Sequence, residues 1–270
     1  MARWISGWTT EIHRQAAGFR AVATERLELG GGVAAWGGPG SWANQAVGLG
    51  LAGPVTDAEL DELVAFYAER GAPARIEVPP FAHPTLVDGL AARGFVLERF
   101  EDVWLRALPA DEDLRAVVPG GWPPGVTVEV VAPDAPDAEL DTFVAVSSSG
   151  FVPAGGVLSA ADRALSVRMA RDPKVISALA RVDGAPAGAG SAAADLGAAG
   201  LFGASTLPPF RGRGVQQALI AARLQAVRDR GAAVACIESA PGIATGRNAA
   251  RMGFSLAGTK VVLRGPPPTR

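Results

Sequence analysis

The chain has 270 residues, 49% of them hydrophobic and 19% charged, enough apolar material for a sizeable core in one or two domains and too much for global disorder. A formal net charge of −2 argues against a general nucleic-acid binder, which carries a basic face. The single cysteine, Cys236, excludes an intramolecular disulfide, and His13 and His83 lie far apart in sequence and belong to no ligand-spaced cluster, so a zinc site or a serine–histidine triad has little to build on.

Residues Met1 to Ala17 mix Arg3, Glu11, His13 and Arg14 with apolar residues; they lack the apolar core of a signal peptide and read as a short helix over Ile5 to Ala17. Thr24 to Leu29 and Val33 to Trp36 flank three glycines, a strand pair around a glycine turn. Gly37 to Gly40 is a loop, and Gln45 to Leu51 reads as a strand. Thr56 with Glu59 three residues on forms a capping box, and Leu60, Leu63, Val64 and Tyr67 recur at helical spacing until Gly71 stops the helix. Arg75 to Val78 is a short strand, Leu86 to Arg93 a helix ended by Gly94, and Phe95 to Leu105 extended.

Residues 108–124 hold four prolines and two adjacent glycines, the signature of a linker. Val126, Val128 and Val130 then alternate with polar residues as in a half-buried strand. Helices are expected over Ala138 to Ser147 and over Ser159 to Ala170, the second capped by Ser159. Val175 to Val182 and Ala187 to Ala194 flank Asp183-Gly184, a hairpin signal. The apolar stretch Ala185 to Ser205 is broken by Asp195 and many glycines, so a membrane span is not expected there, and a soluble cytoplasmic protein is. Ala199 to Leu207 reads as a strand, Val215 to Arg230 as a helix, Ala233 to Ser239 as a strand with Cys236 a buried thiol, Thr245 to Arg251 as a helix and Phe254 to Leu263 as a final strand. The last six residues hold three prolines and are expected to fray.

Between the Ala199–Leu207 strand and the helix that follows lies Pro208-Pro209-Phe210-Arg211-Gly212-Arg213-Gly214. Glycines let backbone N–H groups approach a ligand, and a following helix adds unpaired donors and the positive end of its dipole. Together these make an anion site, with phosphate the usual anion; the alternative is an ordinary turn with exposed arginines.

The two halves of the chain are alike. Arg70-Gly71-Ala72 matches Arg230-Gly231-Ala232, Arg93-Gly94-Phe95 matches Met252-Gly253-Phe254, and the intervals between them differ by one residue. Each copy reads helix, glycine turn, strand, short helix, Gly-Phe, long strand, so a supersecondary unit is duplicated. Where the second copy has Arg-Gly-Arg-Gly, the first has Gly53 to Asp57, and the acidic Asp57 and Glu59 there would repel an anion.

With these residues the chain resembles the GNAT superfamily of N-acetyltransferases. The run Leu207 to Val215 is similar to that family's acetyl-CoA loop, Arg/Gln-x-x-Gly-x-Gly/Ala, with Arg211 first, Gly214 as first glycine, and Gln216 departing from the closing Gly/Ala. Arg247 to Phe254 is similar to the family's helix-then-Gly-Phe signature. The resemblance implies an α/β (α+β) chain of two tandem GNAT-like domains, each a mixed, mostly antiparallel twisted sheet flanked by helices. A degenerate copy would span residues 1–108, a Pro/Gly-rich linker 109–124, an acetyl-CoA-binding copy 125–264, and a frayed tail 265–270. It also implies acetyl-CoA as cosubstrate and no metal. The CoA pyrophosphate would be held by amides of Gly212, Arg213, Gly214, Val215 and Gln216, with Arg211 and Arg213 beside the phosphates. Leu207 would offer backbone groups to the acetyl carbonyl or pantetheine, and Thr245 and Asn248 would lie near the pantetheine or the 3′-phosphate. Departures from the family are Ala249, where many members carry an acid tyrosine, Gly242, where many carry asparagine, and a Leu201–Thr206 strand without a carboxylate.

Acetyl transfer to an amine needs a positioned thioester, a deprotonated amine and a stabilised oxyanion. Glu238, at a strand end, is the candidate base; the alternative is a carboxylate facing water or pairing with Arg247. Ser205, with Thr206, is a candidate for relaying a proton or orienting the carbonyl, against hydroxyls that satisfy backbone groups. The expected function is an acetyl-CoA-dependent N-acetyltransferase acting by direct transfer in a ternary complex, with a small-molecule or peptide amine as acceptor, no nucleic-acid or membrane partner, and a monomer or homodimer as the assembly. The alternatives are a non-catalytic acyl-CoA-binding module and a nucleotide-binding oxidoreductase. Against the latter, Gln217 stands where a dinucleotide fingerprint needs its third glycine.

Overall fold

The structure, a computed structural model, describes residues 2–153 and 156–268. The chain divides into two compact units, one of residues up to 103 with 239–241 and those from 257 on, the other of residues 104–238 and 242–256. No described helix is long and apolar enough to cross a membrane.

The first unit opens with α1 (Ala2–Val22), longer at both ends than expected; Trp8, Ile12, Ala16 and Phe19 are its buried stripe. The strands β1 (Glu25–Leu29) and β2 (Gly32–Trp36) form a hairpin whose two turn residues, Gly30 and Gly31, both have positive φ. β3 (Gln45–Val47) is cut short of the expected Leu51 because Gly48 and Gly50 take left-handed conformations. α2 (Asp57–Ala68) carries the expected Thr56–Glu59 capping box, and β4 (Arg75–Val78), α3 (Pro84–Ala92) and the first part of β5 (Val96–Ala107) follow. The final strand of the chain, β11 (Ser255–Arg264), completes this sheet by pairing antiparallel with β4, Val261 opposite Val78 and Arg264 opposite Arg75. The pairing is reinforced inside the sheet: the buried Lys260 ammonium bonds the Glu77 carboxylate, whose other oxygen accepts from Gln45 at 3.1 Å and Gln15 at 3.3 Å. Leu60, Leu63, Ile76, Leu86 and Leu90 fill the core, and the buried Tyr67 hydroxyl donates to the Ala35 carbonyl.

The second unit is built on β6 (Val126–Val131), β7 (Val175–Val182), β8 (Ala185–Asp195) and β9 (Ala198–Thr206), antiparallel in that order, with β10 (Val234–Ser239) added parallel to β9. The β7–β8 turn is the expected Asp183-Gly184, both residues at positive φ. Leu179 and Ala189 pack towards α4 (Asp137–Ser148) and α5 (Ala160–Ala170), whereas Ala178, Ala180 and Ala187 pack towards α6 (Val215–Asp229). This alternation puts the helices on opposite faces of the sheet. α7 (Ala244–Arg251) leads into β11. Cys236 is a buried core residue, as expected.

The duplicated stretch has one element order in both copies: β2-β3-α2-β4-α3-β5, then β8-β9-α6-β10-α7-β11. A parallel step falls at the same place in both, β3 to β4 and β9 to β10. All four helices end alike: Ala72 bonds back to Tyr67, Phe95 to Leu90, Ala232 to Val227 and Phe254 to Ala249, each behind a positive-φ glycine whose own N–H reaches three residues back. That is the Schellman cap, and it is what the repeated Gly-Ala and Gly-Phe pairs encode.

Two boundaries differ from those read in the sequence. Residues 109–124 are not a free linker: Leu108, Leu114 and Val118 are buried in the core of the second unit, and Arg228 bonds the carbonyls of Pro109 and Glu112. The apolar residues among the prolines decide this. Residues 257–264 group with the first unit rather than with 104–238 and 242–256, through the non-local β4–β11 pairing. Gly265 continues that contact with an N–H bond to Ala74, and Pro266 to Pro268 line a groove with Val64 and Ala68, so they are held rather than frayed. Residues 269–270 lie outside the described residues.

Candidate functional site

At the end of β9, the Leu207 N–H donates to Ala187 at 2.9 Å and the Leu207 carbonyl accepts from Phe210, so both of its backbone groups are engaged in holding the loop. A 3-10 turn, Pro208–Phe210, then brings the chain to Arg211–Gly214. Gly214 is the N-cap of α6 with φ +75°, a left-handed conformation that suits glycine, and a Cβ there would lie 2.6 Å from Pro123. Val215, just inside the helix, is buried, and it meets β8 where Gly188 has no side chain: a Cβ on Gly188 would lie 2.7 Å from it.

The result is a run of backbone donors. Among the described residues, no protein acceptor takes the N–H groups of residues 212–217. Six consecutive donors without a protein acceptor at the positive end of a fifteen-residue helix are the groups that an anion site needs. Arg211 is exposed, its Nε 3.3 Å from the Thr206 carbonyl, and the half-exposed Arg213 reaches Asp183 at 3.3 Å. The side chains expected to lie beside a ligand come together: Gln216 donates to Thr245 at 3.3 Å and accepts from Asn248 at 2.6 Å, tying α6 to α7.

Next to this run of donors the sheet opens. β9 and β10 pair only from Ala198–Leu201 to Val234–Ile237. Beyond that, β9 carries an extra residue: Phe202 faces Ser191 and Ser205 faces Ala189, and Gly203 in between has φ +57°. This is a β-bulge, which bends the strand that carries it. Glu238 is the first residue of β10 past the last pair with β9 and is partly buried. Arg247, the alternative partner for that carboxylate, bonds the Gly242 carbonyl at 2.7 Å. The buried Ser205 hydroxyl donates to Ser147 at 2.7 Å and accepts from Gly150 at 2.9 Å, tying the end of α4 to β9. Ala249 is fully buried and brings no hydroxyl to this region.

In the first unit the equivalent loop engages the N–H groups of Val55, Thr56 and Glu59 from within. The Glu59 carboxylate accepts from the Thr56 N–H and hydroxyl, both at 2.8 Å, and from the Gly30 N–H at 2.9 Å; the Val55 N–H goes to Thr85. The Thr56 N–H, then its hydroxyl, then the Gly30 N–H hold this carboxyl below the usual carboxylate range. Glu59 thus supplies a built-in anion as well as repelling an outside one.

One residue was missed by sequence reasoning. Arg223 of α6 is buried, and burial lowers its pKa to about 10. Its signal was available: it stands four residues after Leu219 and eight after Val215, on the helix face that is otherwise apolar.

No family model and no curated protein matches this sequence. Solved structures do. A GCN5-related N-acetyltransferase from Kribbella flavida is 21% identical, with a TM-score of 0.63 over 97% of this chain and 96% of that one. A tandem GNAT protein from the clavulanic acid biosynthesis pathway is 17% identical, with a TM-score of 0.54 over 76% of this chain and 70% of that one. A GCN5-related N-acetyltransferase from Sphaerobacter thermophilus is 19% identical, with a TM-score of 0.53 over 74% and 62%. The chain therefore has the GNAT fold, as its motifs led us to expect.

Proposed function

We propose that the protein is an N-acetyltransferase that moves an acetyl group from acetyl-CoA to an amine acceptor by direct transfer in a ternary complex. The single observation that carries this reading is the run of six unpartnered N–H groups at the start of α6, beside the point where β9 and β10 part. In this reading these groups form a cradle that takes the CoA pyrophosphate, with Arg211 and Arg213 at its rim, and the Gln216–Thr245–Asn248 cluster borders the pantetheine or 3′-phosphate. The thioester enters the gap beside the bulged part of β9. Glu238 at the mouth of that gap takes the proton from the acceptor ammonium, directly or through water. The freed amine nitrogen attacks the thioester carbonyl, an amide C–N bond forms, the C–S bond breaks, the CoA thiolate leaves with its electron pair, and the proton that the nitrogen sheds as the amide forms passes through water to that thiolate. Ser205 acts through position, since its hydroxyl fastens β9 to α4. A base of this kind contributes about 10²–10⁴-fold, so most of the rate rests on placement and backbone donors.

Acetyl-CoA at millimolar concentration is expected to raise the melting temperature, and Gly214→Glu to abolish the rise by placing a carboxylate in the cradle against Pro123. No rise with the wild-type protein contradicts the reading. A second reading, acyl-CoA binding without turnover, is favoured by the buried Ala249 at the position of the usual acid. Sustained thiol release from acetyl-CoA with any member of an amine panel removes it.

A further inference from the structure

Arg223 is a cation that packing alone does not explain. Its side chain is 2% exposed, and among the described residues it forms no ion pair. A buried charge without a counter-ion is costly, and an apolar side chain of similar volume would serve the core at least as well. Two of its nitrogens, Nε and Nη1, donate instead to carbonyl groups. Nε bonds Leu219 at 3.0 Å within α6, and Nη1 bonds Ser191 of β8 at 2.9 Å with Phe202 of β9 at 3.5 Å. Ser191 and Phe202 face each other across the sheet immediately before the extra residue of the bulge. Phe202 also directly follows Leu201, the last residue of β9 that pairs with β10. The guanidinium therefore joins both strands at the level where β9 bends away. The sheet leaves room for it: a Cβ on Gly190 would lie 2.9 Å from Nη1 and 2.8 Å from the Ala204 side chain.

We propose that Arg223 is a positioning residue for the transfer reaction, its guanidinium clamping the Ser191 and Phe202 carbonyls and so fixing the bulge at Gly203–Ala204 that opens β9 beside β10 for the thioester. This rests on the reading of the site given above. Arg223 makes no bond to residues 212–217, the pyrophosphate cradle of this reading, and bonds Leu219, Ser191 and Phe202 instead, so anchoring and turnover should separate.

The test compares the wild-type protein with Arg223→Met, Arg223→Lys and Gly190→Ala, measuring free-CoA affinity by calorimetry, kcat and KM by thiol release, and folding by circular dichroism melts. Arg223→Met is expected to fold, to bind free CoA within about threefold of the wild type, and to lose about tenfold or more in kcat, the cost of a misplaced thioester. Arg223→Lys should recover part of that loss, because an ammonium can still donate to the two carbonyls, and Gly190→Ala should reproduce the loss by displacing the guanidinium. Unchanged kcat in folded Arg223→Met overturns the proposal, as does a parallel fall of CoA affinity, kcat and melting temperature, which marks a merely structural role. Should Arg223→Met fail to fold, unchanged kcat in Gly190→Ala overturns it. A wild-type protein that neither binds CoA nor releases thiol overturns the functional reading itself, whereas wild-type turnover with indifferent variants overturns only the role of Arg223.

Discussion

At Gly214 one residue serves the chain geometry and, in the proposed function, ligand access. Its φ of +75° turns the chain into α6, and the missing Cβ clears Pro123. Gly214→Ala is expected to cost about 1 kcal/mol for the left-handed backbone, with more for the contact at Pro123, and to weaken acetyl-CoA binding; denaturant melts and calorimetry check the two effects. Glu59 makes the opposite case. Its carboxyl is held below its usual value of 4.5, so the stability it contributes is full above that value and is lost as pH falls through the lower folded-state pKa. Glu59→Gln should therefore be less stable than the wild type at pH 7, and the gap between them should close in acid, which urea melts at pH 7 and pH 3 would read. The Thr56–Glu59 box was legible in the sequence because it is local. Its third donor, the Gly30 N–H, was not, because nothing in the spacing brings residues 30 and 59 together. The motif singled out Gln216, Thr245 and Asn248, whose side chains bond one another, whereas the engagement of Ser205 with Ser147 and Gly150 follows from tertiary packing.

Among the elements, the four Schellman caps carry the repeat. Gly231 has φ +85° and open space around the position of a Cβ, so Gly231→Ala isolates the backbone term and should destabilise by about 1 kcal/mol without disturbing a neighbour, seen as a lowered denaturant midpoint with an unchanged spectrum. The hairpins at Gly30-Gly31 and Asp183-Gly184, the caps at Thr56 and Ser159, and the helices between them were all readable, because each is written in a few adjacent residues. β3 was read too long because an apolar run resembles a strand until its glycines turn left-handed. The bulge in β9 had no local signal beyond Gly203, since its register is defined by β8.

For the molecule as a whole, the last strand belongs to the first unit, a pairing across some 180 residues that no local pattern announces. A fragment of residues 1–108 accordingly lacks β11 and leaves Glu77 buried without its Lys260 partner. It is expected to show no cooperative unfolding transition on its own, and to gain one when a peptide of residues 255–268 is supplied; a cooperative melt of the fragment alone contradicts this. The duplicated plan, in contrast, was visible from its glycines, and so was the difference between the copies. Among the described residues one loop keeps six N–H groups without a protein acceptor, while the other engages its Val55 and Thr56 N–H groups with Thr85 and Glu59. The most direct measurement is therefore isothermal titration of the full chain with acetyl-CoA. One site per chain, lost in Gly214→Glu and kept in Glu59→Gln, is the predicted result. Two sites, no site, or a single site indifferent to Gly214→Glu contradicts it.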